Sequence, residues 1–191
     1  MSFDRKQAIL EAASKSFTHF GYKATTMDQV AKMANVGKGT IYTFFKNKEE
    51  LFDEITTSLL TEMGEEADKV MNLSDSFIEN VHRVLYKMLE YRMNHSLTIK
   101  IFQESKEFGT PAAQEVVRKV EQMIVHYIKE KIEQAIENGE VERCDPEMTA
   151  FVMLKVYHAL IFDWEEYHEP LEKEEIANLF ETYLFKGLSR R

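Results

Sequence analysis

The chain of 191 residues is 44% hydrophobic and 30% charged, an ordinary globular composition that excludes a disordered or coiled-coil chain. One cysteine excludes an internal disulfide framework, and with no apolar signal segment and no bilayer-spanning stretch we expect a cytoplasmic protein. The net charge of −9 is divided unevenly. Residues 1–48 hold eight Lys/Arg and three Asp/Glu, whereas residues 49–191 hold sixteen and thirty, so the basic segment is suited to an anionic partner.

Apolar residues three and four positions apart predict four helices in the first third of the chain. Gly21 ends the first helix at the position where a positive φ is common. The second begins at Thr26, which forms a capping box with Gln29, and ends at Asn35, which tolerates a positive φ. The third helix is short, and Asn47 marks the start of the fourth. The apolar positions are Ile9, Ala12, Ala13, Phe17, Phe20, Met27, Val30, Ala31, Ala34, Ile41, Phe44, Phe45, Leu51, Phe52, Ile55, Leu59 and Met63.

Five further helical segments follow. Ser76 opens one as part of a capping box, and the dipeptide Asp145-Pro146 opens a strongly apolar one. A shorter helix is predicted near Leu97, Ile101 and Phe102. No alternating pattern typical of a strand occurs, so we predict an all-α protein of about nine helices. It comprises a head, residues 1–48, linked by the fourth helix to a larger body, residues 49–191.

The second helix, the turn at Asn35-Val36-Gly37 and the third helix predict a helix-turn-helix. In that motif the second helix enters the major groove of DNA. Lys38 favours phosphate, Gly39 permits close approach of the backbone, and threonine side chains reach base edges or thymine methyl groups. A plain three-helix bundle with a short turn would share this spacing. The predicted DNA-contacting residues are Tyr22, Thr26, Lys38, Gly39, Thr40, Tyr42, Thr43, Lys46 and Lys48.

The residues from position 21 to position 51 closely resemble the head of the TetR/AcrR family of bacterial transcriptional regulators. The matching pattern is Gly21-Tyr22-x-x-Thr25-Thr26-x-x-x-Val30-Ala31-x-x-Ala34-x-Val36-x-Lys38-Gly39-Thr40-Ile41-Tyr42-x-x-Phe45-x-Asn47-Lys48-Glu49-x-Leu51. Asn35 replaces the usual glycine, Gly37 replaces a frequent serine, and Phe44 stands where tyrosine or histidine is common. Phe44 lacks a polar group to donate to phosphate, so it is given no DNA-binding role.

The resemblance implies a homodimeric repressor that binds a palindromic operator and is released when a small hydrophobic effector binds the body. It implies no cofactor and no metal. Activation instead of repression stays open. Dimerisation would use the last two helices through Tyr157, Leu160, Ile161, Phe180, Tyr183 and Leu184. The many soft apolar residues suggest an effector pocket lined by Met88, Tyr91, Phe102, Met123, Tyr127 and Trp164.

Two alternatives compete with a regulator. The pairs Glu79-x-x-His82 and Glu165-x-x-His168 occur in carboxylate-bridged di-metal enzymes, although two further inward glutamates are missing. A helical module that binds proteins would show no salt-dependent affinity for DNA. Cys144 is either a redox switch or an ordinary thiol. No sequence motif of a hydrolase, metalloprotease or phosphate-binding loop occurs, so we expect no enzymatic activity.

Overall fold

The computed structural model describes residues 4–94, 97, 100 and 111–185. These residues form eight α-helices and no strand, which confirms the predicted all-α class. The predicted helix near Leu97, Ile101 and Phe102 lies largely outside the described residues. The helices are α1 (Arg5–Ala24), α2 (Met27–Met33), α3 (Lys38–Phe44), α4 (Lys48–Val70), α5 (Phe77–Asn94), α6 (Pro111–Glu137), α7 (Pro146–His158) and α8 (Lys173–Phe180).

Short irregular helical segments follow the last two helices. The π-helical segment Ala159–Asp163 continues α7 and leads into the 3₁₀ turn Trp164–Glu166, while the π-helical segment Glu181–Phe185 continues α8. None of the helices in the described part of the chain is both long and apolar enough to cross a bilayer.

Side-chain caps begin the helices where the sequence predicts them. The Thr26 hydroxyl accepts a hydrogen bond from the backbone N–H of Gln29 at the start of α2. Ser76 and Glu79 form a complete capping box, since each side chain accepts from the backbone N–H of the other. Asp145 caps α7 ahead of a proline at its first turn. These predicted starts are confirmed.

A buried polar network surrounds the predicted break at Gly21. Gly21 has φ 80° and ψ 170°, and helical geometry resumes after it as far as Ala24. The Thr25 hydroxyl donates to the Gly21 carbonyl at 2.8 Å and lies 3.0 Å from the Ser16 hydroxyl. Both hydroxyl-bearing side chains are fully buried, and the Gly21 carbonyl also accepts from the Thr25 backbone N–H at 3.3 Å, so the buried polar groups at the kink have partners.

Two compact units divide the chain. The first comprises Met1–Thr61 and Arg92–Val120, and it contains the predicted head. The largest side chains of its core lie on α1, α2, α3 and the first turns of α4, and they are fully or almost fully buried: Ile9, Phe17, Val30, Ile41, Leu51 and Phe52. Phe52 packs edge-on against Phe17 with their ring centroids 4.7 Å apart.

The second unit comprises Glu62–Tyr91 and Glu121–Arg191. Its core combines buried residues of α5, α6, α7 and α8, including Leu89, Ile132, Met153, Ile161, Ile176 and Phe180. A buried asparagine closes the turn between α4 and α5. Asn80 accepts from the backbone N–H of Asn72 and donates to its carbonyl, so the turn is anchored to the first part of α5.

Candidate nucleic-acid interface

The turn between α2 and α3 has the geometry that a helix-turn-helix requires. Asn35 has φ 54°, as predicted, and its backbone N–H donates to the carbonyl of Lys32. The N–H of Val36 donates to the carbonyl of Ala31, which completes a Schellman motif. The chain therefore leaves α2 abruptly, and α3 begins after a connection of four residues, in contact with α2.

Helix α3 is anchored on one side and open on the other. Ile41 is fully buried, and Phe45, just beyond the last turn, is 3% exposed. Gly39 and Thr43 lie on the exposed side, where Tyr42 is 44% exposed. The Thr43 hydroxyl donates to the Thr40 carbonyl at 2.6 Å, which leaves the Thr43 methyl group and oxygen lone pairs for a partner.

The three lysines predicted to contact DNA have different environments. Lys38 is exposed, and its Nζ forms an ion pair with Asp28 at 2.8 Å. Lys46 is exposed. Lys48 is half-buried, and its Nζ donates to the backbone carbonyls of Tyr22 and Thr25 at 2.7 and 2.9 Å. Lys48 therefore stabilises the chain between α1 and α2 in addition to any contact with DNA.

The prediction that Tyr22 contacts DNA is corrected by its position. Tyr22 is 7% exposed, and its ring packs on Phe17 and Phe52 with centroids 5.9 and 4.8 Å away. Lys48 Nζ lies over the same ring, 4.3 Å from its centroid. Because the ring is buried and has three partners within the protein, Tyr22 is a core residue that helps to hold Lys48 in place.

Asp28 and Thr25 are the residues that sequence reasoning missed near this surface. Asp28 lies in the first turn of α2 and pairs with Lys38. An acidic residue among basic ones was the available signal. Thr25 belongs to the matching pattern, but its spacing alone did not reveal its buried bond to Gly21.

Five of the predicted effector-pocket residues lie in the second unit, and Phe102 lies outside the described residues. Tyr91 is buried, which raises the pKa of its hydroxyl, as does nearby Glu62. The hydroxyl of half-buried Tyr127 donates to Asp68 at 2.7 Å. Burial is the larger cause of the raised pKa of Tyr127, and the hydrogen bond to Asp68 is the second. Met88 is half-buried.

Two of the predicted pocket residues are exposed. Trp164 is 40% exposed and stacks on the ring of His168 with centroids 3.9 Å apart, and Met123 is 43% exposed. Both side chains therefore contribute to the surface of the second unit, and their role in an effector pocket stays a prediction.

The six residues predicted to form the dimer interface divide between the core and the surface of the second unit. Ile161 and Phe180 are each 2% exposed within the core of the second unit, which leaves little of either side chain for an interface. Tyr183 is 74% exposed. The remaining three predicted residues are partly buried against that core: Tyr157, Leu160 and Leu184.

The metal-ligand pairs have other structural roles. Glu79 belongs to the capping box of α5, and the Nδ1 atom of His168 lies 3.2 Å from the Trp164 carbonyl. Within the part of the chain that the structure describes, no group of three His, Cys, Asp or Glu side chains could hold a metal ion. Cys144 is half-buried against the core of the second unit. The di-metal alternative therefore has no support from this geometry.

Two contacting helices joined by a Schellman turn, the second with an exposed polar side, have the arrangement of a helix-turn-helix, the motif of a large class of DNA-binding proteins. The chain matches the family of bacterial regulatory proteins called the tetR family over residues 9–55, and the tetracyclin repressor-like C-terminal domain over residues 74–188. It is 67% identical over 189 residues to an uncharacterised helix-turn-helix regulator of Bacillus subtilis, YhgD, covering 99% of both chains. The chain belongs to the TetR family and is a ligand-responsive, DNA-binding transcription regulator.

Solved structures share the fold at low sequence identity. FadR of Bacillus subtilis in complex with stearoyl-CoA has a TM-score of 0.75 at 16% identity, covering 91% of this chain and 96% of that one. The SmeT–triclosan complex has a TM-score of 0.76 at 16% identity, covering 97% and 92%.

Proposed function

We propose that the open side of α3 reads the major groove of an operator. The observation that carries this proposal is the division of α3 into a buried anchor, Ile41, and an exposed polar side that includes Tyr42 and Thr43. Thr40 and Thr43 provide methyl groups and oxygen lone pairs for base edges, while Gly39 permits close approach. Thr26, Lys46 and Lys48 hold the sugar–phosphate backbone. DNA binding belongs to residues 1–48.

The second assignment is a homodimer formed by residues 49–191. Exposed apolar side chains on α7 and in the π-helical segment after α8 support this assignment. Phe151 is 46% exposed, Val152 is 39% exposed and Tyr183 is 74% exposed. A two-fold dimer presents two recognition helices roughly 34 Å apart, one DNA turn, and therefore binds a palindromic site.

The third assignment is repression relieved by a hydrophobic effector. FadR and SmeT bind stearoyl-CoA and triclosan, and the second unit of this chain has aromatic and sulphur side chains at Met88, Tyr91 and Tyr127. An effector that binds the DNA-free state more tightly lowers the population that binds DNA.

Selection from fragmented genomic DNA of the source organism tests the DNA-reading assignment. The expected product is a palindromic site that the purified protein retards in a gel, with steep salt dependence. Failure to retard any fragment beyond scrambled duplex in 50 mM KCl would refute it. Mass spectrometry of small molecules extracted from the purified protein then tests the effector class. A hydrophobic molecule that releases the selected duplex supports it, whereas a hydrophilic releasing ligand contradicts it.

A further inference from the structure

Asp28 is the only acidic residue between Thr26 and Lys48, a segment that holds four lysines. It lies in the first turn of α2, and its Oδ2 atom is 2.8 Å from Nζ of Lys38, the first residue of α3. The two side chains are 50% and 67% exposed. The pair therefore lies at the open surface of the helix-turn-helix.

This pair changes what Lys38 can offer to DNA. The hydrogen bond that Lys38 donates to Asp28, and then the negative charge of Asp28, raise the pKa of Lys38, so the lysine stays protonated. A lysine ammonium has three N–H donors, of which Asp28 accepts one. The ammonium keeps its other two N–H donors beside α3, but the pair as a whole carries no net charge and therefore releases no counterion from DNA.

We propose that Asp28 is a specificity determinant of the recognition surface. It stays paired with Lys38 on DNA, cancels the attraction of that lysine for phosphates of any sequence, and holds the ammonium as a directed donor to a base-edge acceptor. This inference rests on the proposed function, since it requires that the open side of α3 faces the duplex. It also revises the expectation that Lys38 binds phosphate.

Asp28→Asn separates charge from shape, because asparagine keeps the size and the acceptor oxygen but loses the charge. We expect the variant to bind scrambled duplex about five-fold more tightly in 100 mM KCl. The plot of log affinity against log salt steepens by about 0.9 per head, the slope for one added lysine charge. Affinity for the selected operator changes little, because the gain from the added charge offsets the loss of one directed contact. The ratio of specific to non-specific affinity therefore falls about five-fold.

Asp53→Asn is the matched control. Asp53 pairs with Lys119 through the same atom types at the same distance, 2.8 Å, with similar exposure, and neither residue belongs to α2 or α3. Fluorescence anisotropy of labelled operator and scrambled 30-base-pair duplexes, from 25 to 200 mM KCl, measures both variants. Circular dichroism melting confirms that each variant is folded. A steeper slope in Asp28→Asn alone supports the proposal.

Two results would overturn it. An unchanged slope in Asp28→Asn means that Lys38 already leaves Asp28 for a phosphate, and an equal change in both variants means that the effect is general electrostatics. A second measurement uses Lys38→Gln, which should weaken operator binding by at least ten-fold more than it weakens scrambled binding. Equal weakening of both duplexes contradicts a base-edge contact. If the unaltered protein binds no duplex at 25 mM KCl, the proposed function itself fails.

Discussion

At the scale of single residues, Gly39 has no structural reason to be glycine. A Cβ atom at this position would meet no heavy atom within 4 Å. Since α3 itself has room for a methyl group, we expect Gly39→Ala to keep or raise the melting temperature, because alanine favours helix. The methyl group would nevertheless separate α3 from the DNA backbone. Affinity for the selected operator should fall at least ten-fold in a gel-retardation titration.

Gly64→Ala provides the control for that prediction. A Cβ atom at Gly64 also meets nothing within 4 Å, and the residue lies inside α4. This change should raise stability by about 1 kcal/mol without a comparable loss of DNA affinity. Normal operator binding by Gly39→Ala would show that the α3 backbone does not approach DNA at this residue.

Lys46 and Lys48, near the end of the motif, allow a role in DNA binding to be distinguished from a role in stability. Lys46→Gln should weaken operator and scrambled duplex by the same factor, about three- to ten-fold, and reduce the salt slope by about 0.9 per head without changing stability. Lys48→Gln should also cost about 1–3 kcal/mol in urea unfolding, because two carbonyls lose a charged donor. Equal unfolding free energies for the two variants would contradict this division.

Residue types predicted the open side of α3 well but failed where one side chain suits two environments. Gly39 and Thr43 are small or polar and each lies two positions from the buried anchor Ile41, which places them on the opposite side of the helix, so their exposure follows from helical spacing. Tyr22 has both a polar hydroxyl and a large apolar ring, and only the positions of Phe17 and Phe52 show that the ring is buried. Lys48 was recognised as a cation, whereas its carbonyl partners come from another part of the chain.

At the scale of helices, α3 begins without a side-chain cap. Gly37 precedes it with φ −67° and ψ 147°, a conformation open to any residue, and a Cβ there would be 3.6 Å from Thr40 Oγ1. We expect Gly37→Ser to stabilise the protein by about 0.5 kcal/mol, since serine caps a helix better and restricts the unfolded chain. Urea unfolding measures the change. Gly37→Ala isolates the chain-entropy part, and equal stability of both variants would exclude a capping contribution.

Helix starts were predictable because they depend on residues close together in sequence. Thr26, Ser76 and Asp145 each satisfy backbone donors two or three residues away. The residues of the dimer interface were less predictable, because their choice assumed the spacing of a regular α-helix. A π-helical turn contains more residues than an α-helical turn, so Ala159–Asp163 rotates the following side chains. Helix α7 is also apolar on several sides, with Met153 buried and Phe151 exposed, so its pattern does not identify a single core face.

At the scale of the whole molecule, cooperative binding to a palindrome depends on the proposed dimer. Tyr183 is 74% exposed, so Tyr183→Asp should leave the fold intact but place an unpaired charge in the interface. We expect sedimentation velocity to show a shift from dimer to monomer at micromolar concentration. Affinity for the full palindrome should fall at least a hundred-fold, because the second head loses the effective concentration that the dimer provides.

Binding to an isolated half-site distinguishes loss of dimerisation from loss of the head. Because the head of Tyr183→Asp is unaltered, its half-site affinity should stay within two-fold of that of the unaltered protein. Leu73→Asp is the matched control, since Leu73 is a fully exposed apolar residue of the same unit in the turn after α4. It should stay dimeric. A dimeric Tyr183→Asp protein would move the interface away from the C-terminal segment, whereas equal dissociation of both variants would show that added charge alone separates the protomers.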